Sequence, residues 1–195
     1  MAEISSSLRT RLPSKYYKNC LKTTKVNYEE KLEIESFNRS SLREIRSLIS
    51  NVKLRNVFYR LINKDFFTKS RMEKFKMTED NHCERCGNEE NTKHLFWDCW
   101  GAQKGWKSFN IIINNLKQEK YLVNNYQDIY NFDCPSAIVT IKLKIINEMI
   151  QIERPRNLNV ENIQKIINRI KNMEKYIAIK NKSLHKFESK WKIFI

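Results

Sequence analysis

Only three glycines and three prolines in 195 residues leave too few tight turns for a sandwich or barrel, while an apolar content of 41% is enough to fill a real core. Lys and Arg outnumber Asp and Glu by 37 to 22, and a net charge of +15 repels itself in a compact chain, so a polyanionic partner is expected, nucleic acid before an anionic membrane surface. No stretch approaches the roughly 18 apolar residues that span a bilayer, and Arg9 and Arg11 are followed by no apolar run. Five cysteines without a secretory context exclude a disulfide framework, and an intracellular, non-secreted protein is expected.

In chain order, residues 1–40 read as a basic N-terminal arm around Pro13, Tyr16 and Tyr17. Ser41 and Glu44 form a capping-box pattern, followed by Leu42, Ile45, Leu48 and Ile49 at helical spacing. A second helix from about Val52 places Leu54, Val57, Phe58, Leu61 and Ile62 inward and Lys53, Arg55 and Arg60 outward. Thr68 caps a short third helix with Met72 and Phe75 inward and Lys69, Arg71 and Lys74 outward. After a cysteine cluster, residues 103–116 are helical in pattern, with Trp106, Phe109, Ile112 and Ile113 buried. Residues 117–133 read as irregular with one short helix. Pro135 and Ser136 start a helix whose core face is Ile138, Ile141, Ile145, Met149 and Ile152. Arg154, Pro155 and Arg156 break it. The last long helix, from about Asn159, buries Ile163, Ile166, Ile167, Ile170, Met173 and Ile177 and turns Lys165, Arg169, Lys171, Lys175, Lys180, Lys182 and Lys186 outward. So short a break predicts an antiparallel pair. The expected fold is mainly α: a multi-helix domain over residues 41–116 with a small CCHC zinc-knuckle insertion, and a C-terminal antiparallel helix pair within residues 117–195 packed on it.

The chemistry lies in Cys83-Glu-Arg-Cys86-Gly87, then His94 after seven residues and Cys99 after four more. Thiolate and imidazole are the ligands zinc prefers, and the C-x2-C turn brings two sulfurs to one ion. Gly87 suits the bend after that turn. Four protein ligands leave no open position for water, so the site is expected to be structural. His82, beside Cys83, is the one substitute ligand. His185 is remote and reads as a solvent-facing helix residue, and Cys20 and Cys134 as small apolar side chains. A deaminase needs His-x-Glu before Pro-Cys-x-x-Cys, and neither is present. The loop from Cys86 to His94 is longer than that of a retroviral-type knuckle.

The stretch from Phe58 to Trp106 resembles the zinc-binding region that follows the reverse transcriptase in non-LTR (LINE-type) retrotransposon polyproteins. Phe58, Leu61, Thr68 and Arg71 carry the resemblance, then Cys83, Cys86, His94, Leu95, Phe96, Cys99 and Trp106. The run His94-Leu95-Phe96-Trp97-Asp98-Cys99 and the tryptophan seven residues later are its most specific elements. The end of the chain is looser: Glu174 to Ala178, Asn181, Phe187 and the pair Lys190-Trp191 look like the tail of such polyproteins. The resemblance implies metal ligation by Cys83, Cys86, His94 and Cys99. It also implies binding of element RNA or target DNA during target-primed reverse transcription. No Asp-Asp pair of a polymerase turn occurs, so nothing catalytic transfers. A chain of this length reads as a fragment, a truncated copy, or a host protein descended from such an element.

The function expected is a non-catalytic, zinc-dependent nucleic-acid-binding protein, in a nuclear or cytoplasmic ribonucleoprotein and without a membrane partner. Its phosphate contacts are expected from Lys53, Arg55, Arg60, Lys69, Arg71, Lys74, Arg85 and Lys93, with Trp97 stacking on bases. Trp100 is a second stacking candidate, whereas Trp106 reads as core. The alternative is a protein-interaction or scaffold subunit of a larger assembly, docked on a polymerase or other subunit through its Ile-rich last helices.

Overall fold

The computed structural model describes residues 39–151 and 157–194; their regular structure is helical, joined by turns and irregular segments, with one isolated antiparallel bridge between His82 and Glu89. The α-helices are α1 (Arg39–Leu48), α2 (Val52–Ile62), α3 (Lys69–Lys74), α4 (Trp100–Asn115), α5 (Ser136–Ile150), α6 (Val160–Lys180) and α7 (Leu184–Trp191). A π-helix, His94–Asp98, precedes α4; 3₁₀ turns occupy Glu119–Tyr121, Gln127–Tyr130 and Lys192–Phe194. The arm expected over residues 1–40 and the break at Arg154–Arg156 lie essentially outside the described residues, as do Cys20 and Ile152.

Local chemistry sets most starts. Asn51 accepts from the amides of Lys53 and Leu54 at 2.8 and 3.3 Å and so caps α2. Thr68 caps α3 through the Arg71 amide, and Asn159 caps α6 through that of Asn162. Pro135 stands at the N-cap of α5, as its fixed φ allows. One start differs. Ser41 falls inside α1, which begins at Arg39, two residues before the start read from the sequence. Leu48 is exposed where that helix ends, while Ile45 and Ile49 reach the core.

The central element is α5, buried around nearly its whole circumference and not on the single face its spacing suggested. The helices α2, α4 and α7 and the π-helix pack around it. With α5 enclosed, α6 makes its main contacts with α4 and α7. The antiparallel C-terminal pair is therefore α6 with α7. Lys190 Nζ and Trp191 Nε1 both reach back to Glu174 at 2.8 Å, and Lys171 Nζ donates to the Phe194 carbonyl at 2.9 Å. Gly105 lets α4 approach closely, since a Cβ there would lie 3.0 Å from side-chain atoms of Leu158 and Met149. The stripe on α6 is buried through Ile170, but Met173 and Ile177 emerge into solvent. No helix among the described residues is long and apolar enough to cross a membrane.

Candidate metal centre

Residues 81–90 fold back on themselves. The Cys83 amide donates to the Asn88 carbonyl at 2.7 Å, and Glu90 donates to Asn81 at 2.8 Å. Inside this hairpin the Cys83 carbonyl accepts from the amides of Cys86 at 3.3 Å and Gly87 at 2.8 Å, the turn that points two sulfurs the same way. Gly87 sits at φ 74°, left-handed backbone that costs a side-chain-bearing residue energy.

The other two ligands come from a local widening of the helical turn. From His94 to Asp98 the backbone follows a π-helix, and the Cys99 amide donates to the His94 carbonyl at 3.0 Å. Asn91 accepts from the His94 amide at 2.8 Å and holds the start of this turn. Two carbonyls of the turn are taken by side chains of α4: Trp106 Nε1 donates to Phe96 at 2.7 Å and Gln103 Nε2 to Trp97 at 2.9 Å. Trp106 is fully buried, edge-on to Phe109. The indole thus anchors the ligand-bearing turn to the core.

The sulfurs of Cys83, Cys86 and Cys99 and a nitrogen of His94 all lie within 4.8 Å of one another. Cys83 Sγ and Cys99 Sγ are 4.0 Å apart, and Cys86 Sγ is 3.1 Å from His94 Nε2. A tetrahedral zinc with sulfurs at about 2.3 Å places them about 3.8 Å apart, so the donors fit that ion. Burial, reinforced by the neighbouring Cys99 and Cys86 sulfurs, pushes the Cys83 thiol up to about 12. A divalent cation reverses that balance and draws thiolates. His82 is not part of the set: its ring is exposed and bonded to Asp80 Oδ1 at 2.9 Å. His185 is exposed on α7, and Cys134 is partly buried and packed against the core.

The knuckle is docked at two points. Arg85 Nη2 donates to the Met149 carbonyl at 2.6 Å, capping the C-terminal end of α5, while its own carbonyl accepts from Trp100 Nε1 at 3.0 Å. Glu90, buried, accepts from the Lys69 amide at 3.0 Å at the start of α3, and Glu89 accepts from the Ser70 hydroxyl at 3.0 Å. Sequence reading missed Glu90, whose partner lies 21 residues away.

The predicted nucleic-acid contacts divide. Lys53, Lys74 and Lys93 are exposed, Lys93 3.7 Å from Asp98. Arg60, Lys69, Arg71 and Arg85 are not outward-facing cations. Arg60 donates to the Asp65 carbonyl at 2.9 Å with its guanidinium 4.8 Å over Phe66; its burial and nearby Arg71 lower its pKa from the ordinary value. Lys69 is buried between Glu84 and Asp80, and Arg71 pairs with Asp65 at 2.7 Å over Phe67 and Phe75. The segment that follows α3 folds back and brings Asp80 and Glu84 to Lys69, while Asp65, just before the helix, takes Arg71. Arg55 is half-buried and donates to the Ser50 carbonyl at 3.3 Å. Trp97 is partly buried against the core, whereas Trp100 is exposed.

Residues 23–106 match the family model described as zinc-binding in reverse transcriptase. The match covers less than half of the chain. It takes in all four ligands and ends at Trp106, and the stretch Phe58 to Trp106 lies within it. No curated protein and no solved structure matches the chain.

Proposed function

We propose that a chain carrying a reverse-transcriptase zinc-binding region over residues 23–106 acts as a non-catalytic nucleic-acid-binding module, descended from a non-LTR retrotransposon and working in an intracellular ribonucleoprotein. Zinc held by Cys83, Cys86, His94 and Cys99 supplies cross-linking, since four protein ligands saturate it. What supports the reading most is where cations outnumber acids. Residues 162–187 carry seven cations, Lys165, Arg169, Lys171, Lys175, Lys180, Lys182 and Lys186, against the single acid Glu174, which is itself engaged by Lys190. The knuckle, by contrast, is rich in acids that absorb their neighbouring cations. The phosphate-binding surface is therefore assigned to the exposed lysines and to the outer side of α6, with Arg60, Lys69, Arg71 and Arg85 given structural roles. The test is affinity for RNA and DNA oligonucleotides against salt. Binding that weakens steeply and log-linearly with salt is expected; salt-independent affinity, or none, contradicts it.

A second reading is favoured by the apolar side chains left in solvent. Ser50 Oγ donates to Glu174 Oε1 at 2.8 Å, which brings the loop between the exposed Leu48 and Val52 to the part of α6 bearing exposed Met173 and Ile177. Such a cluster suits a protein subunit. Co-purification that disappears with nuclease supports the first reading, and a stoichiometric protein complex that survives nuclease supports the second.

A further inference from the structure

The solvent side of α6 carries one unbroken ridge. At steps of three and four residues, Lys165, Arg169, Asn172, Tyr176 and Lys180 stack along the helix, all exposed, over about 22 Å. Glu161 stands at its N-terminal end, paired with Lys165 at 2.6 Å. The face opposite is the buried stripe of Ile163, Ile166, Ile167 and Ile170, so packing fixes which side the ridge presents. Tyr176 is 59% exposed, and the Lys180 ammonium lies 4.9 Å from its ring centroid. The cation covers the aromatic face without burying it. The ring is an exposed platform whose position on the ridge falls between Arg169 and Lys180.

Resting on the nucleic-acid reading above, we infer that this ridge is the seat of an unpaired nucleic-acid strand: Lys165, Arg169 and Lys180 contact successive phosphates, and a base stacks on Tyr176. Charge complementarity selects a polyanion, and the flat ring between cations selects a strand whose bases are free, because a duplex offers no base face. Asn172, between Arg169 and Tyr176, offers donor and acceptor to a base edge.

The test is fluorescence anisotropy of the zinc-loaded full chain with labelled oligouridylate, oligothymidylate and a blunt DNA duplex. Tyr176→Ala is expected to weaken binding of the single strands by about five- to a hundredfold, while Tyr176→Phe retains it and duplex binding changes little. Arg169→Glu is expected to make the salt dependence shallower by about 0.7 in log–log slope, one phosphate's worth on a single strand. Both altered side chains, Tyr176 and Arg169, are exposed, so zinc content and helical circular dichroism remain those of the parent. Equal affinity of Tyr176→Ala and parent for the single strands overturns the inference, as does an equal loss on strand and duplex. If the parent binds none of the probes, the nucleic-acid reading itself fails; if it binds and the ridge variants bind alike, only the ridge is wrong.

Discussion

Glu174 sits within a basic helix, yet its carboxylate serves three donors from two other parts of the chain: the hydroxyl of Ser50, the ammonium of Lys190 and the indole of Trp191. Its side chain is 10% exposed and that of Lys190 13%, so removing the acid strands a nearly buried cation. Glu174→Ala is expected to destabilise by about 3 kcal/mol, and Glu174→Gln by less, because the amide oxygen still accepts one bond; urea denaturation of both variants checks the order. Lys142 is a second buried charge, donating to the carbonyls of Asp128 and Asn131 at 2.6 Å each from the middle of α5. Burial lowers its pKa to about 8 from 10.5. Between those values the folded chain sheds a proton that the unfolded chain keeps, so this group's contribution rises with pH and is lost as pH falls through 8. Burial of Cys134 acts in the opposite sense, raising its thiol from 9.0 to about 11, and therefore takes over above pH 9. From pH 8 to 9 the parent is expected to gain about 1 kcal/mol on Lys142→Met, read as the difference between their urea midpoints at each pH.

At the scale of elements, the π-helix and the knuckle divide the work of presenting ligands, and each has a distinct weak point. Trp106→Phe keeps a large ring but deprives the buried Phe96 carbonyl of its donor. A loss of about 1–3 kcal/mol is expected, with weaker zinc retention in competition with a chromophoric chelator. Gly87→Ala meets nothing within 4 Å, so only its left-handed backbone opposes the methyl group, a cost of about 1 kcal/mol. These elements also mark what was legible in the sequence. The ligands were readable because zinc demands a residue type at each position, and Thr68 because its hydroxyl bonds an amide three residues on. Of the residues singled out near the end of the chain, Glu174 bonds Lys190 and Trp191 across α6 and α7, and Ala178 and Phe187 are buried. The inward turn of Lys69, Arg71 and Arg85 was not readable. Helical spacing places a cation opposite an apolar stripe, but it says nothing of a later loop bearing Glu84 or of a distant helix end at Met149. The π-turn was invisible for a related reason: five residues cannot show a period.

For the whole molecule, one apolar core runs from Ile45 to Trp191 and includes Cys83 and Cys99, so the metal ligands are part of the packing. Arg85 ties the knuckle to the end of the central helix, and Glu90 ties it to the start of α3. Loss of the ion leaves three sulfurs and an imidazole within 4.8 Å of one another, two of the sulfurs buried, so the knuckle must either protonate its thiols or open. Opening releases Arg85 from α5 and the π-helix from α4, whose contacts enclose the core. Zinc binding and folding are thus coupled, and structural zinc contributes of order 10 kcal/mol in small domains. One zinc per chain is expected by native mass spectrometry, together with release of protons on binding, because the buried Cys83 thiol must ionise to ligate. Stripping the metal with a strong chelator is expected to lower the thermal midpoint sharply and to restore it on adding zinc. Cobalt in its place is expected to give the intense absorption of a tetrahedral thiolate site, reduced in Cys86→Ser and unchanged in Cys134→Ser, whose sulfur lies outside the cluster. A metal-free chain with the thermal midpoint of the zinc-loaded one would show that the helices close without the ion, and that the four ligands decorate a fold they do not hold.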